Sequence, residues 1–321
     1  MPRRKVAVKV LLRDVVDAGL LRMFYTEADV MARLSAHPSI ITVFEASVSA
    51  DGRPYIVMEY CPTSLANKYR REQLAVAEVL NIGVRIAAAL ETAHRAGVLH
   101  RDIKPSNILI SQFGAPVLSD FGIAAAITQK GHENELFAMS LPWSAPEVVA
   151  EKVSGSVPSE VWSLGATIYT LLAGHSPFQR QGGGQNTREQ IADRILKARY
   201  PPLERPDVPP ELDAALAAAM HKDPAARCPN AAAFGYLLQR LQVQQGLPYT
   251  PLEIPQDEWG PAPPIDLSGE QRRGPTRSTV EHESRRASSR PGTFTNRPDD
   301  EEVFDEPASG GWFRRRRGKR R

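Results

Sequence analysis

Cysteine is nearly absent from this sequence. The 321 residues hold two, Cys61 and Cys228, far apart and in no CxxC or Cys/His spacing, which excludes a disulfide framework and a zinc site and suits a reducing compartment. Long apolar runs are missing too: none approaches the roughly 20 residues that span a bilayer. The first apolar stretch is broken by Lys9 and Arg13, too early for a signal peptide, so a cytoplasmic location is expected. Neither sign of charge dominates, with 40 Lys and Arg against 37 Asp and Glu and a net charge of +3; no nucleic-acid partner is expected. No internal repeat recurs at the periods of solenoids.

What is present is ordinary for a globular chain, 42% hydrophobic and 24% charged, enough for one large domain or two smaller ones. The makeup changes near Gly246. From there to Arg321 the chain carries ten of its 27 prolines and many Ser, Arg, Asp and Glu, so 246–321 reads as a tail unable to bury enough surface to order itself. Residues 1–245 divide again. In 1–60, "KVAVKVL" and "RPYIVMEY" are β-branched strand candidates around a helical pattern from Glu27 to Leu34, which makes a small, sheet-rich piece. In 61–245 helical periodicity dominates. Ile82, Ile86, Ala89, Leu90 and Ala93 form a stripe closed by Gly97. A second helix follows "VPS", with Val161, Leu164, Gly165, Ile168, Leu171 and Leu172 on one face and Gly174 as its stop; a third uses Leu212, Ala215, Leu216, Ala219 and Met220.

Between the first two helices lies "HRDIKPSNILISQFGAPVLSDFG", His100 to Gly122. It predicts a loop to Asn107, a strand over 108–110, a turn at Gly114, a strand over 116–118 and a second loop at Asp120. Two carboxylates, an amine and an amide at the ends of strands have the composition to hold metal ions and a phosphate chain. A lone Asp or Lys in such a place is usually a solvated charge, and His100 alone reads as a packing residue.

Here the sequence resembles the protein kinases. "HRDIKPSN" matches the catalytic-loop pattern, "DFG" the metal-binding motif, "VAVK" the strand with the ATP lysine and "SAPE" the close of the activation segment, in the family's order. The likeness covers roughly residues 5 to 243, and its style looks bacterial, especially actinobacterial. It implies an α+β, two-lobed kinase-like fold, with a truncated small sheet lobe over 1–60 and a larger helical lobe over 61–245. It also implies transfer of the γ-phosphate of ATP to Ser/Thr hydroxyls of proteins, the chain itself among them. A truncated, pseudokinase-like binding module is the alternative. By the same resemblance Asp102 orients the acceptor hydroxyl and takes its proton, Lys104 sits against the transferred phosphate, and Asn107 and Asp120 hold Mg²⁺. Lys9 grips the remaining phosphates while paired with Glu27. Met58 guards the back of the purine pocket, the backbone of Glu59 and Cys61 meets the adenine edge, and Ala7 and Leu109 close on its faces. Lysine two residues after Asp102 is similar to the Ser/Thr-specific branch, with Ser140 linking activation segment and catalytic loop. Arg101 suggests control by a phosphate on Thr128 or Ser140, and Glu147 and Arg227 resemble a buried structural ion pair.

Three features depart from the family pattern. The glycine-rich loop expected before "VAVK" is not found, which would leave the strand of Lys9 as a sheet edge. Glu160 stands where the family usually has Asp bonded to the catalytic-loop backbone, and Met139 replaces a glycine. At the other end "GWFRRRRGKRR" follows the acidic "DDEEVFDE", a cation cluster with Trp312 that would suit an anionic membrane surface. A second copy of the chain as partner stays open.

Overall fold

The computed structural model describes residues 4–10, 18–50, 52–121, 140–182 and 186–255, with backbone only for 18–23 and Glu27. The chain divides into two units, Met1–Ile265 and Asp266–Arg321, the second wholly outside the described residues. Thr128, Met139 and the basic C-terminus therefore lie outside what is described here.

The first lobe is a three-stranded antiparallel sheet in the order β1-β3-β2, built from β1 (Val6–Val10), β2 (Val43–Val48) and β3 (Pro54–Glu59), with α1 (Ala18–Leu34) against it. β1 runs beside β3 with Lys9 opposite Ile56 and Ala7 opposite Met58. Side chains alternate across a strand, so Ala7 and Lys9 share the half-buried face while Val6, Val8 and Val10 share the outer one, exposed by 37%, 54% and 47%. The helix that the apolar pattern starts at Glu27 in fact begins at Ala18. Nothing at its start signals this: the first turn carries no acidic residue, and Gly19 is a poor helix former. Its core-facing side chains, Phe24, Ala28, Met31 and Leu34, recur at helical spacing and are buried.

The second lobe packs helices around α3 (Val76–Arg95) and α5 (Val157–Ala173). A short sheet of β4 (Thr63–Ser64), β5 (Ile108–Ile110) and β6 (Pro116–Leu118) lies above them, and α2 (Leu65–Tyr69), α4 (Pro146–Val149), α6 (Arg188–Lys197), α7 (Pro210–Ala219) and α8 (Ala231–Gln244) complete the lobe. The whole expected stripe of α3 is buried, and so are most of its other sides, because neighbouring helices cover it nearly all round. Gly83 shows how closely they approach: a Cβ there would lie 2.7 Å from Leu238 of α8 and 2.9 Å from Ile168 of α5. α5 stops where its sequence predicts, with Gly174 at φ 77° after it, but it starts at Val157 and so takes in the "VPS" expected to precede it, behind a reciprocal Ser156–Ser159 capping box. The result is the two-lobed α+β arrangement expected from the motifs.

One boundary is different. Packing does not end at Gly246: Thr250 is 2% exposed, and Leu252 lies against Gly235. The prolines at 248, 251 and 255 stop the segment forming a helix or strand, but they do not stop it from burying side chains.

Candidate active site

The site begins with His100, which is fully buried. Its Nδ1 accepts from the Asp102 backbone N–H at 3.2 Å, so its proton is on Nε2, which donates to the Ser119 carbonyl at 2.8 Å. Burial lowers its pKa and keeps it neutral, against the opposing pull of Glu160 and the Ser119 carbonyl. Phe121 packs on the ring at 4.6 Å. His100 thus joins the loop carrying Asp102 to the strand end carrying Asp120, a packing and bonding role rather than a chemical one.

Asn107 makes the second joint. Its Nδ2 donates to the Asp102 carbonyl at 2.8 Å and to Oδ2 of the same residue at 2.9 Å, while its own carbonyl accepts from the Ser119 N–H at 2.8 Å and Oγ at 3.0 Å. Asp102 Oδ2 also meets Lys104 Nζ at 2.9 Å, and Oδ1 accepts from Ser140 Oγ at 2.6 Å. Lys104 in turn donates to Ser140 Oγ at 2.8 Å, which closes a ring of three side chains. Burial alone would raise the Asp102 pKa; the hydrogen bonds from Ser140, Lys104 and Asn107, with the charge of Lys104, outweigh it and hold the carboxyl below its usual range.

Lys9 reaches from β1 to the other lobe, where its Nζ pairs with Asp120 Oδ1. The side chain of Glu27, its expected partner, is outside the described residues. Asp120 and Arg101 both hold left-handed backbone, at φ 61° and 66°, a conformation that turns the chain sharply at each end of the site.

Glu160 departs from the family's aspartate, yet its extra methylene does not take it out of reach. Its Oε1 accepts from the Arg101 N–H at 2.6 Å, while Oε2 meets His94 Nε2 at 2.6 Å. His94 is a residue that sequence reasoning missed; it sits at the end of the α3 stripe, where it read only as the approach to Gly97. Glu147 and Arg227 form the bidentate pair expected of them, at 2.7 and 2.8 Å, with the Arg227 side chain fully buried and its guanidinium 5.0 Å from the Trp162 ring.

Ala7, Met58, Glu59, Cys61 and Leu109 are all half-buried. The Glu59 N–H is committed to the Thr42 carbonyl at 2.8 Å. Burial, with the nearby Glu59 charge, pushes the Cys61 thiol up to about 11, so it is no ready nucleophile. Among the described residues no three His, Cys, Asp or Glu side chains gather as a metal cage. A cation here would have to use the Asp120 carboxylate and the Asn107 side-chain oxygen, the hard donors that magnesium prefers.

Comparison with known proteins gives the family. Residues 2–235 match the protein kinase domain. The chain belongs to that family. Among curated relatives it is 40% identical to the serine/threonine-protein kinase PknK of Mycobacterium tuberculosis over 274 residues, covering 85% of this chain and 24% of that protein. It is 33% identical to PknB of Mycolicibacterium smegmatis over 278 residues, 83% of this chain and 44% of that one. With PrkC of Bacillus subtilis the figure is 33% over 228 residues, 69% of this chain and 34% of the relative. The chain thus spans about a quarter of the length of PknK and less than half of the others, all bacterial Ser/Thr kinases by name. Among the described residues no helix is long and apolar enough to cross a membrane.

Proposed function

We propose that this chain transfers the γ-phosphoryl group of ATP to serine and threonine hydroxyls of proteins. The observation that carries the reading is the bonded network of Asp102, Lys104, Asn107 and Ser140, joined through Ser119 to Asp120 and from there to Lys9. A carboxylate has about four acceptor sites. Asp102 Oδ2 fills two with Lys104 and Asn107, and Oδ1 spends one on Ser140, which leaves a site on Oδ1 for an incoming hydroxyl.

In the proposed reaction the acceptor oxygen forms a bond to the γ-phosphorus, the bond from that phosphorus to the β–γ bridging oxygen breaks, and the hydroxyl proton passes to Asp102. Because its pKa is held low, Asp102 is a weak base that acts first by orienting the nucleophile. Lys104 lies beside the same carboxylate and would neutralise charge on the moving phosphoryl group. Lys9 would exchange part of its contact with Asp120 for the remaining phosphates. Asn107 and Asp120 would hold magnesium, which supplies charge neutralisation on the phosphate oxygens when bound. Glu59 would offer the adenine its carbonyl, its N–H being taken, and Cys61 its N–H; Ala7 and Leu109 would cover the ring faces, with Met58 at the back. Ser140 would fix the activation segment to the catalytic loop, and Arg101 would receive a regulatory phosphate on Thr128 or on Ser140 itself.

The test compares Mg-ATP phosphorylation of a generic protein substrate by this chain and by Asp102→Asn. The variant is expected to lose about 10²- to 10⁴-fold in rate while still binding nucleotide. Equal signals from both would turn the reading to a binding module of kinase fold.

A further inference from the structure

The matched family domain ends at residue 235, yet the chain goes on to bury itself against the lobe it has just completed. After α8, Leu247 N–H returns to the Gln242 carbonyl at 2.8 Å, and Thr250 becomes a hub. Thr250 Oγ1 accepts from Asn81 of α3 and from Gln242 of α8, both at 2.8 Å; its N–H donates to Gln242 Oε1 at 3.0 Å, and its carbonyl accepts from Gln239 at 2.7 Å. Gln239 and Gln242 are buried, and buried amides are costly unless paired. The segment satisfies them. Leu252 fills the space above Gly235, where a Cβ would come within 2.6 Å of it.

One residue further on, the segment meets the other lobe. The Glu253 carbonyl accepts from His37 Nε2 at 2.7 Å, in the loop just after α1. His37 Nδ1 accepts from Ser39 N–H at 3.0 Å, which fixes the tautomer, and burial lowers its pKa and keeps it neutral. The Ser39 carbonyl then accepts from Leu118 N–H at 2.9 Å, and Ile41 N–H donates to the Leu118 carbonyl at 2.9 Å. Leu118 stands two residues before Asp120.

We propose that Tyr249–Ile254 is a positioning strap for the active site, which through His37 sets the backbone at Leu118 and so the placement of the Asp120 carboxylate opposite Lys9. His37 is a positioning residue: it touches no substrate, and it acts through Ser39 and Leu118. The effect on metal and nucleotide rests on the kinase reading, whereas the effect on the backbone does not.

The test uses the full chain and two variants. Thr250→Val keeps the shape of the hub and removes its acceptor. His37→Asn keeps an oxygen near the position of Nδ1 for Ser39 but is too short to reach Glu253. Amide hydrogen exchange at Ile41 and Leu118 is expected to rise about tenfold in both variants, with that of α5 unchanged, because the loop opens locally while the core does not. Calorimetric affinity for Mg-ADP is expected to weaken several-fold in both, about in step with the exchange. Unchanged exchange at Ile41 and Leu118, or an equal rise throughout α5, would overturn the strap. Faster exchange with unaltered Mg-ADP affinity would overturn its link to Asp120. Failure of the unaltered chain to bind Mg-ADP at all would count against the kinase reading, and the exchange data would still judge the strap.

Discussion

At the residue scale the decisive group is Lys104. It holds Asp102 and Ser140 together, and its charge helps to keep the Asp102 carboxyl ionised in a setting where burial works the other way. Lys104→Met should therefore do two things. The Asp102 pKa should climb, so the acid limb of the pH–rate profile moves to higher pH, and the rate at the plateau should fall by about 10²-fold because charge on the transferred group is no longer met. A profile displaced in this direction, measured as kcat/KM from pH 4 to 8, separates the pKa role from simple loss of structure. The meeting of Asp102, Lys104, Asn107 and Asp120 was legible in the sequence because they fall in two short motifs of fixed local spacing, which the structure joins in one bonded network. His37 and His94 were not, since each gains its meaning from a partner more than 60 residues away, Glu253 in one case and Glu160 in the other.

At the scale of elements, Glu147 and Arg227 join the start of α4 to the turn before α8. Arg227 spends its donors on the carboxylate and on the carbonyls of Pro158, His221 and Lys222, with Trp162 beneath it. Arg227→Ala leaves Glu147 facing three emptied acceptors in a dry site. Breaking one side of such a pair costs about 3–5 kcal/mol, so the chemical-denaturation midpoint should drop sharply with little change in slope. Helices α3 and α5 could be read from periodicity and caps, because their own residues carry the signal. The first nine residues of α1 and the 247–255 segment could not. The former lacks an N-terminal cap signal, and the latter is held by α3 and α8 rather than by any local preference.

For the whole molecule, the two neutral buried histidines set a limit on acid tolerance. His37 and His100 both have pKa values lowered by burial, so the unfolded chain binds more protons than the folded one as the pH drops below the ordinary histidine value near 6.5. Stability should rise with pH up to that point, be fully present above it, and fall below it by at most about 1.4 kcal/mol per pH unit for each histidine. Asp102, whose pKa is also lowered, acts in the same sense but in a more acidic window. Its contribution is complete above the usual aspartate range and is lost only as the pH falls through its lowered value. Between pH 7 and 5, then, thermal melting should report the histidines, and His37→Asn should flatten the slope.

Arg101 and Asp120 share a twist of backbone that only glycine adopts at no expense. Selection for sheer durability would put glycine at both. Doing so would erase the carboxylate that faces Lys9 and the Arg101 side chain that lies against Gly155. A laboratory search for hardier versions of this protein would thus be drawn towards the very changes that remove groups the proposed reaction uses, and survival on heating alone would be a misleading guide.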